Sequence, residues 1–227
     1  MVVSSWIITG LGSSGIILFV SMLVIPIRVE ARMSNAPSWL RIGARDDRAA
    51  RSTLLFVCTG NICRSAFAAA SLRARVGDRV GNHVTSAGIR ALHGWPMDPG
   101  MVRAGTELGL SLGPHEARQV TGRMIAGAAA VVVFDSEHRA WLREEFPEHM
   151  SRVVAIGQMV RGLATLPCTR RVPLAYAVEM AVGGAPSVVD DDWVADPYRC
   201  DDDVKLACAE RILADIDVLA ERVDWAN

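Results

Sequence analysis

Charge of one sign is what this sequence most lacks. Lys and Arg number 24 against 25 Asp and Glu, a formal net charge of −1 at pH 7. The broad basic surface of a general nucleic-acid binder is therefore missing, and any anion recognition has to be local. A disulfide framework is missing as well: five cysteines, an odd number without regular spacing, fit a reducing compartment and free thiols. There is no internal repeat to suggest a solenoid or a propeller. What is present is 227 residues, enough for one domain of ordinary size plus an extension.

Charge is absent altogether between Met1 and Ile27. Residues 6–27, WIITGLGSSGIILFVSMLVIPI, would span roughly 33 Å as a helix at about 1.5 Å per residue, long enough for a bilayer. No basic residue precedes this run and no small-residue cleavage site follows it, which argues against a secretory signal. Arg28, Arg32, Arg41, Arg45, Arg48 and Arg51 follow it, and the positive-inside rule would hold what comes next in the cytoplasm. One expectation is a cytoplasmic domain tethered to the inner face of the plasma membrane through residues 6–27. The competing one starts the protein at Met33 and leaves the apolar stretch untranslated; Gly10, Gly12, Ser13, Ser14 and Gly15 dilute the hydropathy in its favour. The chain divides into an apolar segment 1–27, a polar Arg-rich linker 28–51 and a domain 52–225.

From Thr53 onward strands and helices alternate. TLLFVC is a β-branched and aromatic run opening into a glycine-containing turn, and SAFAAASLRARV behind it is a strong helix former. Further strands are expected at HVTSAG (83–88), at AAVVVF (129–134) and at VVAIG (153–157). The almost unbroken apolar character of the second suits a strand covered on both faces. Helices are expected at about 98–109, 136–145 and 202–223, the last with Val204, Cys208, Ile212, Ile216, Leu219 and Val223 on one face. GGAPS (183–187) marks a loop. This alternation predicts an α/β fold with an open, mainly four-stranded parallel sheet and helices on both faces. In such sheets ligands sit beyond the carboxyl ends of the strands.

That is where CTGNICRS lies. A loop between a buried strand and a helix N-terminus aims successive backbone N–H groups at one point, and the helix adds partial positive charge. Arg64 brings a planar fork suited to two phosphate oxygens. Cys58 forms the floor. A free thiol of pKa near ~8.5 is little ionised at pH 7, and donors of this kind lower it by several units, each unit representing about 1.4 kcal/mol. Ser65 can cap the helix or donate to the thiolate, and Gly60 and Asn61 tolerate left-handed backbone. Other readings fit less well. No GK followed by Ser or Thr completes a Walker loop. A structural zinc site wants two close ligand pairs, whereas Cys58 and Cys63 are separated by four residues and Cys168, Cys200 and Cys208 are scattered. A merely structural Cys58 leaves Arg64 and Ser65 beside it unaccounted for.

VCTGNICRS resembles the signature of the low-molecular-weight protein tyrosine phosphatases. ADPYR (195–199) resembles the family's DPY near the C-terminus, and TSAGI (85–89), GWPMDP (94–99), HEARQV (115–120) and VVVFDSEHRAWLREEFPE (131–148) resemble the blocks between. The resemblance covers roughly residues 52–225 and implies a phosphate-binding loop after the first strand. It implies that Cys58 attacks phosphorus to form a cysteinyl-phosphate and that Arg64 holds the equatorial oxygens with the amides of Thr59, Gly60, Asn61, Ile62, Cys63 and Ser65. Asp196 is implied as the acid that protonates the leaving phenolate and then assists water, with no metal or cofactor required. Tyr198 becomes an aromatic wall for a phosphotyrosine-containing protein substrate, and Cys63 a partner for a reversible disulfide with Cys58. Its alternative is a small hydrophobe filling the loop. Cys208 reads as core, none of the five histidines has an evident partner, and His115 reads as structural.

There are departures. Ala66 stands where the family has proline, Arg199 where many relatives have a second aromatic, and residues 89–95 offer only Trp95 for the opposite wall. The stretch 168–191 is longer than expected and puts the approach of Asp196 in question. An arsenate reductase on this scaffold would need two further cysteines on a mobile segment after the central blocks, yet none occurs between 64 and 167. A catalytically silent phosphotyrosine-binding module would have no use for Cys58, Arg64 and Asp196 together. A phosphoarginine phosphatase resembles the same motif with threonine in place of Ile62, so phosphotyrosine is favoured.

Overall fold

The computed structural model describes residues 53–77, 83–167 and 169–225. The apolar run 6–27, the linker 28–51 and Cys168 lie outside the described residues. Among the described residues no helix is long and apolar enough to cross a membrane.

Strand β1, Thr53–Cys58, lies at the heart of the fold. It pairs in parallel with β2, Val84–Gly88, on one side and with β3, Ala128–Val133, on the other. β4, Val153–Ala155, extends the sheet beyond β3, giving the order β2-β1-β3-β4, all parallel. Side chains alternate across a strand, and both faces here are covered. Leu54 and Phe56 face a large layer built from α1, α2, α5, α6 and α7 (Arg64–Val76, Pro99–Glu107, Ile156–Ala164, Ala177–Gly184, Asp202–Arg222), whereas Leu55 and Val57 face a smaller one containing Ile125 and Leu142. Those two residues belong to α3, Gly122–Gly127, and α4, Ser136–Glu145. Being buried on both faces is why LLFV and AAAVVV contain no polar residue.

Helix α1 packs tightly because its residues are small. Ala66, Ala68 and Ala69 are fully buried beside Phe67, so the helix lies against the sheet on one side and against α7 on the other. It ends at Gly77, whose φ of +64° and ψ of −148° lie in a region open essentially to glycine alone. Asp98, Thr121 and Asp135 start α2, α3 and α4 by accepting hydrogen bonds from first-turn amides.

Several sequence expectations change. VVAIG is a strand only to Ala155; α5 begins at Ile156, because Ile156, Met159 and Leu163 form the buried side of an amphipathic helix. Val204 is exposed and does not share the buried face of Cys208, Ile212, Ile216 and Leu219, since the first turn of α7 overhangs solvent. The described part of the stretch 168–191 contains β5, Val172–Pro173, paired with β6, Val223–Asp224, then a 3₁₀ turn and α6. Helix α6 crosses α5 at close range, where a Cβ on Gly162 would collide with the Ala181 backbone. Buried Asp192, held by Arg161 at 2.8 Å, then returns the chain to Val194. The Val194 N–H bonds the carbonyl of Phe134 at the end of β3. The long stretch thus delivers Asp196 beside the mouth of the first loop.

Candidate active site

The chain leaves β1 at Cys58, and α1 starts at Arg64. Between them the carbonyls are tied outward one after another. Cys58, Thr59, Gly60 and Ile62 accept from the amides of Ile89, Arg90, Leu92 and Asp98 at 2.9–3.0 Å, and Cys63 accepts from Phe67 at 2.8 Å. The Asn61 carbonyl lies 2.6 Å from Nε2 of His115. With each carbonyl pulled to the outside, the N–H groups turn to the inside and form an anion cradle. Asn61 supplies the one left-handed residue this needs, with φ +57°. Gly60 has no positive φ, contrary to the sequence expectation; the glycine the cradle requires is Gly88, where a Cβ would strike the Thr59 carbonyl.

Cys58 is buried at the floor. Its Sγ lies 2.9 Å from Oγ of Ser65. The Asn61 side-chain amide donates to that same Oγ at 2.9 Å, which leaves the Ser65 proton for the sulfur or, at 3.3 Å, for the Ala87 carbonyl. Of the two roles open to Ser65, helix capping is not the one taken: it lies inside α1, and the capping position, Cys63, makes no side-chain cap. Asn61 is held in turn by the Arg118 amide, 3.0 Å from its Oδ1. Burial pushes the Cys58 thiol up, while the Ser65 hydroxyl and amide, the Arg64 charge and the Asn61 amide all pull it down. The sequence led us to expect the donors to outweigh burial. Burial outweighs them, because the floor of a parallel sheet is dry.

Arg64 is almost fully buried and gripped from three sides. Nη1 reaches Asp135 Oδ2 at 2.9 Å and the Val194 carbonyl at 3.0 Å, while Nη2 reaches Asp196 Oδ2 at 2.8 Å. Asp196 is itself 45 % exposed and lies in the cleft above Cys58. That cleft, about 160 Å³, is walled by Ile62, Leu92, Arg90 and Tyr198 around Cys58, Thr59, Gly60, Cys63, Arg64 and Asp196. Tyr198 is where the sequence reading put it. Trp95 is not: it is exposed and outside the cleft, and Leu92 takes that wall. Arg199, in left-handed backbone, lays its guanidinium 5.2 Å from the Tyr198 ring centre, a cation–π contact on the outer side of the wall.

Cys63 is buried and its thiol is pushed up by burial and by the nearby negative charge of Asp98. Cys208 is buried with its thiol pushed up to about 12, again mainly by burial. The four described cysteines are free thiols. Among the described residues no group of three or more His, Cys, Asp or Glu side chains is arranged to hold a metal ion.

Sequence reasoning missed three supports. Asp135 both caps α4 and holds Arg64. His138, fully buried, places Nε2 3.0 Å from Thr59 Oγ1 and Nδ1 3.2 Å from Asp135. Burial, aided by Arg64 and opposed by Asp135, pushes its ring down to about 4, so it is neutral at pH 7. His115, read as partnerless, carries the Asn61 carbonyl. The spacing of Asp135 and His138, one helical turn apart at a helix start, was the available signal; Thr59 is 79 residues away from that histidine and gave none.

An arginine and an anion cradle over a buried thiol, at the carboxyl end of β1 where the strand order reverses, define a cysteine-dependent phosphate-handling site. The sequence model described as low molecular weight phosphotyrosine protein phosphatase matches residues 53–168, about half of the chain. The chain belongs to that phosphatase family. It is 37 % identical over 107 residues to a probable low molecular weight protein-tyrosine-phosphatase, EpsP, of Ralstonia nicotianae, covering 47 % of this chain and 72 % of that one. It is similar to the YwlE arginine phosphatase from Geobacillus stearothermophilus (TM-score 0.58, 27 % identity, 75 % of this chain and 91 % of that one). The tyrosine phosphatase Wzb from Escherichia coli K30 in complex with sulphate shares the fold (TM-score 0.58, 21 % identity, 75 % and 97 % covered).

Proposed function

We propose that the domain 52–225 hydrolyses phosphotyrosine monoesters on protein substrates in two displacements at phosphorus. The ionised Sγ of Cys58 attacks phosphorus; the S–P bond forms as the P–O bond to the phenol breaks. Asp196 gives its proton to the departing oxygen, and the covalent phosphocysteine splits one hard step into two easier ones. Water then attacks the phosphocysteine, Asp196 takes a proton from it, the S–P bond breaks, and inorganic phosphate leaves with the thiolate restored. Arg64 and the loop amides hold the equatorial oxygens throughout. The positive field that draws in the dianion also acts on the sulfur beneath it.

The observation that carries this reading is the meeting of Cys58, Arg64 and Asp196 in one cleft, with Asp196 Oδ2 2.8 Å from Arg64 Nη2. Ile62, Leu92 and Tyr198 make the cleft walls largely apolar, which suits a phenyl ring better than the polar guanidinium of phosphoarginine. We keep the cytoplasmic assignment, with the tether at 6–27, as part of this reading; fractionation of cells producing the full chain tests it.

The direct test is acid quenching of the full chain during turnover of p-nitrophenyl phosphate. Phosphorus bound to Cys58 is expected. Brisk turnover with none on that sulfur would defeat the mechanism. Cys58→Ser is expected to abolish turnover and still bind vanadate.

A further inference from the structure

A second concentration of positive charge lies along β2, the edge strand of the sheet. Arg73 of α1, Arg118 in the segment before α3 and Arg123 of α3 line one recess of about 650 Å³, with Thr53, Thr85 and Met124 among its walls. Thr53 opens β1 and Cys58 closes it, so at about 3.3 Å per residue the recess lies roughly 17 Å along the strand from the catalytic sulfur.

The arginines of this recess have no carboxylate partner among the described residues. Five arginines elsewhere do: Arg64 has Asp135 and Asp196, Arg75 has Asp217, Arg103 has Asp202, Arg161 has Asp192 and Arg211 has Asp215, whereas Arg222 donates to the Leu166 and Pro167 carbonyls. Here the partners are neutral. Arg73 Nη1 donates to the Val84 carbonyl at 3.0 Å, Arg118 Nε to the Ser86 carbonyl at 3.0 Å and Arg118 Nη2 to Thr85 Oγ1. Among the described residues none of the three forms an ion pair and no carboxylate lines the recess. Burial pushes the Arg73 guanidinium down, and the Arg118 charge pushes it the same way. Arg73 is half-buried and Arg118 and Arg123 are exposed; like charges brought together in this way repel one another, and an anion between them would reverse the sign of that effect.

Guanidinium forks match phosphoryl oxygens in pairs, and this recess is far roomier than the 160 Å³ cleft over Cys58. One phosphate would leave most of it empty, whereas several linked phosphoryl groups would reach all three arginines and the threonine hydroxyls. We propose that the recess formed by Arg73, Arg118 and Arg123 binds a small polyphosphorylated anion, separately from the catalytic cradle.

The test titrates inorganic tripolyphosphate into the full chain with the cradle saturated by vanadate, so that only a second site can respond. One equivalent is expected to bind, more weakly as salt rises. Arg123 makes no hydrogen bond or ion pair among the described residues, so Arg123→Gln is expected to fold, to keep the basal rate on p-nitrophenyl phosphate and to weaken tripolyphosphate binding at least tenfold. Arg73→Gln should weaken it similarly. Failure of the vanadate-saturated protein to bind tripolyphosphate overturns the proposal. So does binding that both variants leave unchanged, or a recess that takes a short oligonucleotide in preference to tripolyphosphate.

Discussion

The rear and the front of the cleft are built on different terms. Behind the cradle, Asn61, Ser65 and His138 are fully buried and tied to Arg118, Cys58 and Thr59. In front, Asp196 and Tyr198 are 45 % and 41 % exposed, and the Asp196 carboxylate is held by Arg64 and by the Tyr198 amide. Arg64 belongs to both, with Asp135 holding it from the rear and Asp196 from the front. The rear is therefore part of the core, and disturbing it alters stability along with rate. The front is open to solvent and lies outside the core, which would suit the proton donor proposed for Asp196.

The sharpest way to break this contrast is Asp196→Ala. Loss of the acid is expected to lower kcat about 10²- to 10⁴-fold on aryl phosphates with poor leaving groups, and less on p-nitrophenyl phosphate. Stability in denaturant should fall less than for Asp135→Ala, since Asp135 and the Val194 carbonyl still hold Arg64. A rate independent of the leaving group would move the acid elsewhere. Next in size is Asp135→Ala, which removes a carboxylate from buried Arg64 and the cap from α4. It is expected to destabilise by about 1–3 kcal/mol and to cut kcat about tenfold or more. A variant that lost rate at full stability would erase the difference between rear and front.

Ser65→Ala sharpens the comparison through pH. The Ser65 hydroxyl pulls the Cys58 thiol down against burial, so its removal lets the thiol rise further. The acidic limb of the kcat/KM profile, where thiolate is limiting, should move to higher pH; an unmoved limb would take Ser65 out of that role. The smallest effect on turnover is expected at His138, where stability is the informative measurement. Its ring takes up a proton near 6.5 when unfolded and at about 4 when folded. The unfolded chain therefore binds more protons between those values, and stability falls as pH drops through that window, at about 1.4 kcal/mol per unit at most. His138→Asn should flatten that slope, read from urea unfolding between pH 4 and 6.5.

How far the sequence reached can be judged from single residues. Cys58, Arg64 and Ser65 were legible because a loop packs them into eight residues, and Ala128–Val133 because a strand buried on both faces tolerates only apolar side chains. Helices α3, α5 and α6 went unread, being short and weakly punctuated. The direction of the Cys58 shift was misjudged because desolvation depends on what covers a residue, and nothing local reports that. Arg118 was no candidate at all, since its main chain serves the cradle while its side chain serves another site.

The amino-acid order alone determined the parallel α/β alternation and the phosphate loop, for both rest on interactions between residues close in the chain: side-chain periodicity, helix propensity and a turn joining one strand to one helix. Tertiary structure alone decided which carboxylates reach Arg64, which histidines support the loop and which arginines are left without a counter-charge. The carboxylates and histidines meet their partners across 54 to 132 positions of chain, where the sheet order, and not the local sequence, sets who meets whom.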